Sequence, residues 1–118
     1  MLNQLIKKVA VGSKIFELCV WADNLIYEEL NKVYNKKPVF KGLAFPTTIS
    51  VNEVCAYFAP IPEESVNIKE GDLVKIELGV HVDGFPAFIG HTLVVKSDKN
   101  APVTDKLADT VLAAYYAS

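Results

Sequence analysis

From Ile15 onward, apolar residues recur at helical spacing: Ile15, Leu18, Cys19, Ala22, Leu25, Ile26, Leu30 and Val33. Steps of three and four residues put them on one stripe, and Glu17, Asp23, Glu28, Glu29 and Lys32 fall mostly off it. The pattern predicts helix from about residue 3 to 35, broken near Gly12, with Ser13 as the N-cap of the second part. Asn35-Lys36-Lys37-Pro38 ends it, because proline keeps the preceding residue out of the helical region. Period-two character follows. Thr47-Thr48-Ile49-Ser50-Val51 is β-branched and strand-like, after Gly42 and Pro46 as punctuation. Pro60 to Glu64 reads as loop, and Lys69-Glu70-Gly71-Asp72 as a turn.

The strongest local signal comes next. Leu73 to Val82 and Phe85 to Val95 are β-rich runs joined by Asp83-Gly84. An Asp-Gly pair suits a two-residue hairpin, where both turn residues need positive φ. Val82 then faces Phe85, and counting outward places Gly79 opposite Phe88 and Ile76 opposite His91. Side chains alternate between faces, so Glu77, Gly79 and Phe88 share one face and His91 lies on the other. After Lys96 to Asn100, Pro102 fits a first helical turn, and Leu107, Val111, Leu112 and Tyr115 form a last helical stripe. That helix has no stop signal. The order of elements predicts a single α+β domain with an antiparallel sheet.

Composition changes this picture in one respect. Hydrophobic residues make up 51% of the 118, and the mean hydropathy is +0.23. Roughly 45–50% apolar is usual. A well-packed core accounts for the excess, and so does a face built to be covered by another molecule. Twelve Lys+Arg against fourteen Asp+Glu leave a charge of −2, so there is no global basic field for nucleic acid. Cys19 and Cys55 lie in apolar contexts outside any C-x-x-C pair, and are expected to be two buried free thiols of a reducing compartment. No membrane span or signal peptide is apparent, which points to the cytoplasm and nucleus.

Candidate chemistry is sparse. Glu77 and His81 share a strand face but stand roughly 13 Å apart, too far for one metal. His81 and His91 each read as satisfied structural histidines. Ser50 and Cys55 have no nearby histidine to activate them. Lys32, Lys36, Lys37 and Lys41 cluster around Tyr34 and Phe40, a combination that suits phosphates and bases. The same lysines also suit a solvated helix C-terminus.

The segments Lys41-Gly42-Leu43-Ala44-Phe45-Pro46-Thr47-Thr48-Ile49-Ser50-Val51-Asn52 and Lys69 to Phe85, with Val103 to Ala108, carry a resemblance that covers nearly the whole chain. Together they resemble the proliferation-associated, receptor-binding relatives of type II methionine aminopeptidase. The resemblance implies the first half of a pita-bread (creatinase/aminopeptidase-like) fold, with helices on one face of an antiparallel sheet. On this reading residues 1–118 form one half-domain, cut short at both ends.

Active members hold two divalent metals with two Asp, one His and two Glu, and the metals activate the attacking water. The positions of the two Asp correspond here to Glu77 and Phe88, and that of a substrate-side His corresponds to Tyr57. Phenyl cannot ligate a hard cation, and a phenol is no imidazole near neutral pH. No catalytic residue, metal ligand or cofactor is expected. The resemblance instead implies a non-catalytic adaptor for ribosomal or structured RNA and protein partners in ribosome biogenesis, translation or growth control. A residual metal-dependent aminopeptidase is one alternative, and a pure protein-interaction or DNA-binding module another. No membrane partner is expected. A homodimer or swapped assembly through the face of the missing half is.

Overall fold

A computed structural model describes residues 1–118. Its elements run α1 (Leu2–Lys8), α2 (Ile15–Leu30), β1 (Lys41–Val51), a 3-10 turn (Pro62–Glu64), β2 (Leu73–Val82), β3 (Phe85–Val94) and α3 (Asp105–Ala117). The three strands form one antiparallel sheet in the order β1-β2-β3. The α+β expectation therefore holds, and so does the hairpin. Asp83 and Gly84 carry φ of 54° and 80°, and Val82 pairs with Phe85, Gly79 with Phe88 and Ile76 with His91.

The core lies between α2 and the inner face of β1 and β2. Ile15, Ile26, Ile49, Val74 and Ile76 are fully buried there. Burying each side chain contributes about 2 kcal/mol. The predicted α2 stripe is the buried stripe as far as Leu30. The helix then stops five residues before the expected Asn35. Val33 has nothing to pack against and is exposed. Side chains take over the orphaned helix-end carbonyls: Asn35 Nδ2 donates to Asn31 O at 2.7 Å, and Lys41 Nζ to Val33 O at 2.5 Å.

The start of α2 also departs from expectation. Ser13 is not its cap; Lys14 holds that position and makes no side-chain capping bond. The free N–H of Phe16 instead donates to Ser65 Oγ at 3.1 Å, a cap supplied from 49 residues away. The segment carrying Ser65 is itself held against residues 12–15, where Gly12 N–H donates to Ile68 O at 2.7 Å and Ile15 N–H to Val66 O at 3.1 Å.

β1 is longer than its β-branched centre suggests, and passes through Gly42 and Pro46. Two register shifts accommodate this, one between Leu43 and Phe45 and one between Phe45 and Thr48. A proline is tolerated at such irregular, edge positions because no ladder bond is lost. The bulged backbone is fixed to α2: Thr47 N–H donates to Asp23 Oδ1 at 2.9 Å. Pro102 lies ahead of the last helix, which starts at Asp105. No residue of α3 is buried.

Cys55 corrects the expectation of two buried thiols. Cys19 is buried on the core-facing side of α2, but Cys55 is exposed in the loop after β1. Burial, reinforced by the Asp23 carboxylate and opposed by a backbone bond to Ile49, pushes the Cys19 thiol from its ordinary 9.0 up to about 12. One thiol, Cys55, should react with a disulfide reagent in the native protein, and a second only on unfolding. The raised folded-state pKa also favours folding below pH 9, and that contribution is lost as pH rises from 9.0 toward about 12. Cys19→Ala should flatten this part of the alkaline stability profile, as read by denaturant melts. Two fast thiols in the folded state would refute the assignment.

Candidate functional site

Two features meet at the hairpin end of the sheet. The first lies on the face opposite α2. Phe45 on β1 and Phe88 on β3 flank Gly79 on β2, their rings 5.6 Å apart and tilted by 40°. A Cβ at position 79 would come within 2.6 Å of Phe45 and 2.8 Å of Phe88. The missing side chain is thus what lets the two rings close over the central strand. Glu77 lies two residues along on the same face. It accepts a hydrogen bond from Thr48 Oγ1 at 3.1 Å.

The expected site positions fall as follows. Glu77 and Phe88 are diagonal neighbours across β2 and β3, as the register requires. Tyr57 is 85% exposed, in the loop after β1 with a φ of 63°, and no hydrogen bond joins it to Glu77. The metal pair implied by the resemblance can be tested against these side chains. Glu77 has a phenyl ring as its diagonal neighbour where the resemblance implies a second carboxylate, and phenyl offers a hard cation no ligand. No three His, Cys, Asp or Glu side chains come together anywhere in the structure. The residues present do not fit a two-metal centre.

The histidines are not the satisfied structural residues expected. His91 is exposed on β3. His81 packs its ring 4.9 Å from that of Phe40, but its buried Nδ1 has no partner.

The second feature is the basic turn, residues 32–41. Its four lysines do different work. Lys32 is paired with Glu29, Nζ to Oε1 at 2.6 Å. That bond holds the Glu29 carboxyl below its ordinary range and raises the Lys32 ammonium. Lys41 closes the turn on itself, reaching Val33 O and Asn35 Oδ1, the latter at 2.8 Å. Lys36 and Lys37 make no ion pair and line an open cleft with Tyr34, Asn35 and Val39.

The turn leads into Lys41, which pairs with Val82, which pairs with Phe85. Asp83 N–H also donates to Phe40 O at 2.6 Å. This register brings Phe85 to the end of the sheet that carries the lysines. Phe40 and Phe85 are 77% and 79% exposed. Phe85 is thus a surface ring and no part of the core. Its position beside the basic turn depends on the bulged β1–β2 register, for which the chain carries no local signal.

Gly79→Ala should destabilise the fold by about 1–3 kcal/mol, the usual cost of overpacking. Adding Phe88→Leu should recover part of that loss in a denaturant melt. Equal destabilisation with and without Phe88→Leu would show that the ring contact is not the cause.

Residues 1–118 match metallopeptidase family M24. The chain is 42% identical to the curved DNA-binding protein of Schizosaccharomyces pombe over 119 residues, spanning 95% of this chain and 30% of that protein. It is 38% identical to proliferation-associated protein A of Dictyostelium discoideum, spanning 98% of this chain and 30% of that one. The structure of a thermophilic Arx1 superposes with a TM-score of 0.91 at 34% identity, over 98% of this chain and 32% of the other. The chain thus spans about a third of the length of these relatives, and its fold is a part of the larger pita-bread fold. No helix is long and apolar enough to cross a membrane. The matched family, the strand register and the superposition agree, and the chain belongs to metallopeptidase family M24.

Proposed function

We propose that this chain is a non-catalytic binding module of the M24 fold, taking up ribosomal or structured RNA alongside protein partners. The observation that carries this reading is the convergence, at one end of the sheet, of two unpaired lysines, Lys36 and Lys37, with the exposed rings of Phe40 and Phe85. Ammonium groups contact phosphates, and open aromatic faces stack on unpaired bases. Lys32 and Lys41 serve to shape the turn. The name of the curved DNA-binding relative supports a nucleic-acid ligand on this fold. A role of this kind belongs in the cytoplasm and nucleus.

The catalytic side of the proposal rests on the Phe45–Phe88 pair over Gly79. Phenyl offers no ligand to a hard cation, and the neighbouring Glu77 is hydrogen-bonded to Thr48. The expected result with added cobalt or manganese is no release of methionine from a short peptide. Turnover that Glu77→Gln abolishes would overturn this reading.

RNA binding is tested by titrating a ribosomal RNA stem–loop at several salt concentrations. Affinity should fall steeply with salt. Lys36→Ala and Lys37→Ala should each flatten the log–log slope by about 0.7–0.9, one phosphate apiece. Phe85→Ala should weaken binding by about 1–3 kcal/mol, if one base stacks there. Affinity indifferent to salt and to all three substitutions would count against nucleic acid and in favour of a protein ligand.

A further inference from the structure

The turn between α2 and β1 holds one residue in a conformation that its side chain disfavours. Five non-glycine residues of the chain have positive φ. Asn52, Asp83 and Asp105 are of the short polar types that enter the left-handed region readily. Tyr34, at 54°, and Tyr57, at 63°, are bulky and strained there. Tyr34 is the one that stands beside unpaired ammonium groups. It borders both clefts of the turn together with Lys36 and Lys37.

The strain at Tyr34 secures little packing, since the residue is 65% exposed. An asparagine would take the same backbone at less cost. The surrounding bonds nonetheless hold the tyrosine in place. Lys41 Nζ donates to Val33 O and to Asn35 Oδ1, one group on each side of Tyr34. Asn35 Nδ2 in turn donates to Asn31 O at 2.7 Å. A backbone outlier persists only where its surroundings over-determine it, and such outliers gather at ligand clamps.

The class of ligand follows from what the turn offers and what it withholds. Lys36 and Lys37 supply point charges, and residues 31–41 include no Arg, whose planar fork reads base edges. Asn35 is the one amide side chain lining the clefts. Its oxygen and its nitrogen are both engaged within the turn. Base edges therefore find few readers here, whereas three rings stand open: Tyr34, Phe40 and Phe85. A ring stacks on any base whose face is free, and a duplex keeps those faces covered. Charge combined with open rings selects the state of the strand and tolerates its sequence.

Given the RNA reading above, on which this rests, we propose that Tyr34 is a base-stacking ring of the site, that Lys41 is the positioning residue that holds it outward, and that the site takes an unpaired single strand in preference to a duplex. The fold gives up stability to keep the ring in place, and the ring contributes only when a strand is bound.

The test compares an unstructured oligouridine with a blunt RNA duplex of equal length, by fluorescence anisotropy on the intact chain. The wild-type chain should prefer the single strand. Tyr34→Asn should shrink that preference about tenfold, the loss of one stacked base. It should also raise the thermal midpoint, because asparagine tolerates the left-handed backbone. A merely structural ring would lower the midpoint instead. Tyr34→Phe, which keeps the ring, should retain the wild-type preference. Lys41→Gln should shrink the preference with the wild-type salt slope, since its ammonium is committed to the turn and meets no phosphate. Circular dichroism checks that each variant is folded. A folded Tyr34→Asn chain with the wild-type preference overturns the inference, and so does a fall in its midpoint. If Lys36→Ala weakens binding while Tyr34→Asn does not, the strand-state assignment fails alone; if no variant alters affinity for either RNA, the RNA reading fails with it.

Discussion

Burial of the α2 stripe against β1 and β2 is the constraint on which the remaining geometry depends. Ile15, Ile26, Ile49 and Ile76 are each at 0% exposure, so neither the helix nor the strands can slide without opening a cavity. Asp23 turns that packing into backbone geometry. Its carboxylate takes the Thr47 N–H and so holds β1 in its bulged path. The bulges then set the register that puts Phe45 beside Gly79 and Lys41 beside Val82. Both candidate features at the hairpin end are consequences of where this helix sits.

The two faces of the sheet carry different duties. The α2 face supplies stability. The opposite face carries Glu77 and the Phe45–Phe88 aromatic pair. The shape of this part of the M24 fold is held by the hydrophobic core on the α2 side and not by groups on the opposite face. At the rim, the turn lysines and exposed rings present charge and open aromatic faces.

Openness is the second theme. β3 and α3 contribute little to the core, since no α3 residue is buried and most of β3 is exposed. The 51% apolar composition is thus only partly spent on a core, and the rest lies on exposed faces of β3 and α3. Composition alone left these two accounts open. The burial pattern shows a packed core on the α2 side of β1 and β2, and exposed apolar side chains on β3 and α3.

By itself the sequence determined the elements whose causes are local. The three-and-four spacing from Ile15 to Leu30 specified α2 and its buried face, and Asp83-Gly84 specified the hairpin and hence the Gly79–Phe88 pairing. It also carries Tyr57 and Phe88 at positions where the resemblance implies His and Asp, which is a matter of residue identity. What the tertiary structure alone decided was every relation that spans the chain: the Ser65 cap on α2, the early end of that helix, the bulged β1 register, the exposure of Cys55, and the meeting of Phe85 with the basic turn. The physical reason is one of range. A turn or an amphipathic stripe is fixed by neighbours within a few residues, whereas caps, bulges and edges are fixed by whichever distant segment satisfies a buried polar group or covers an apolar one.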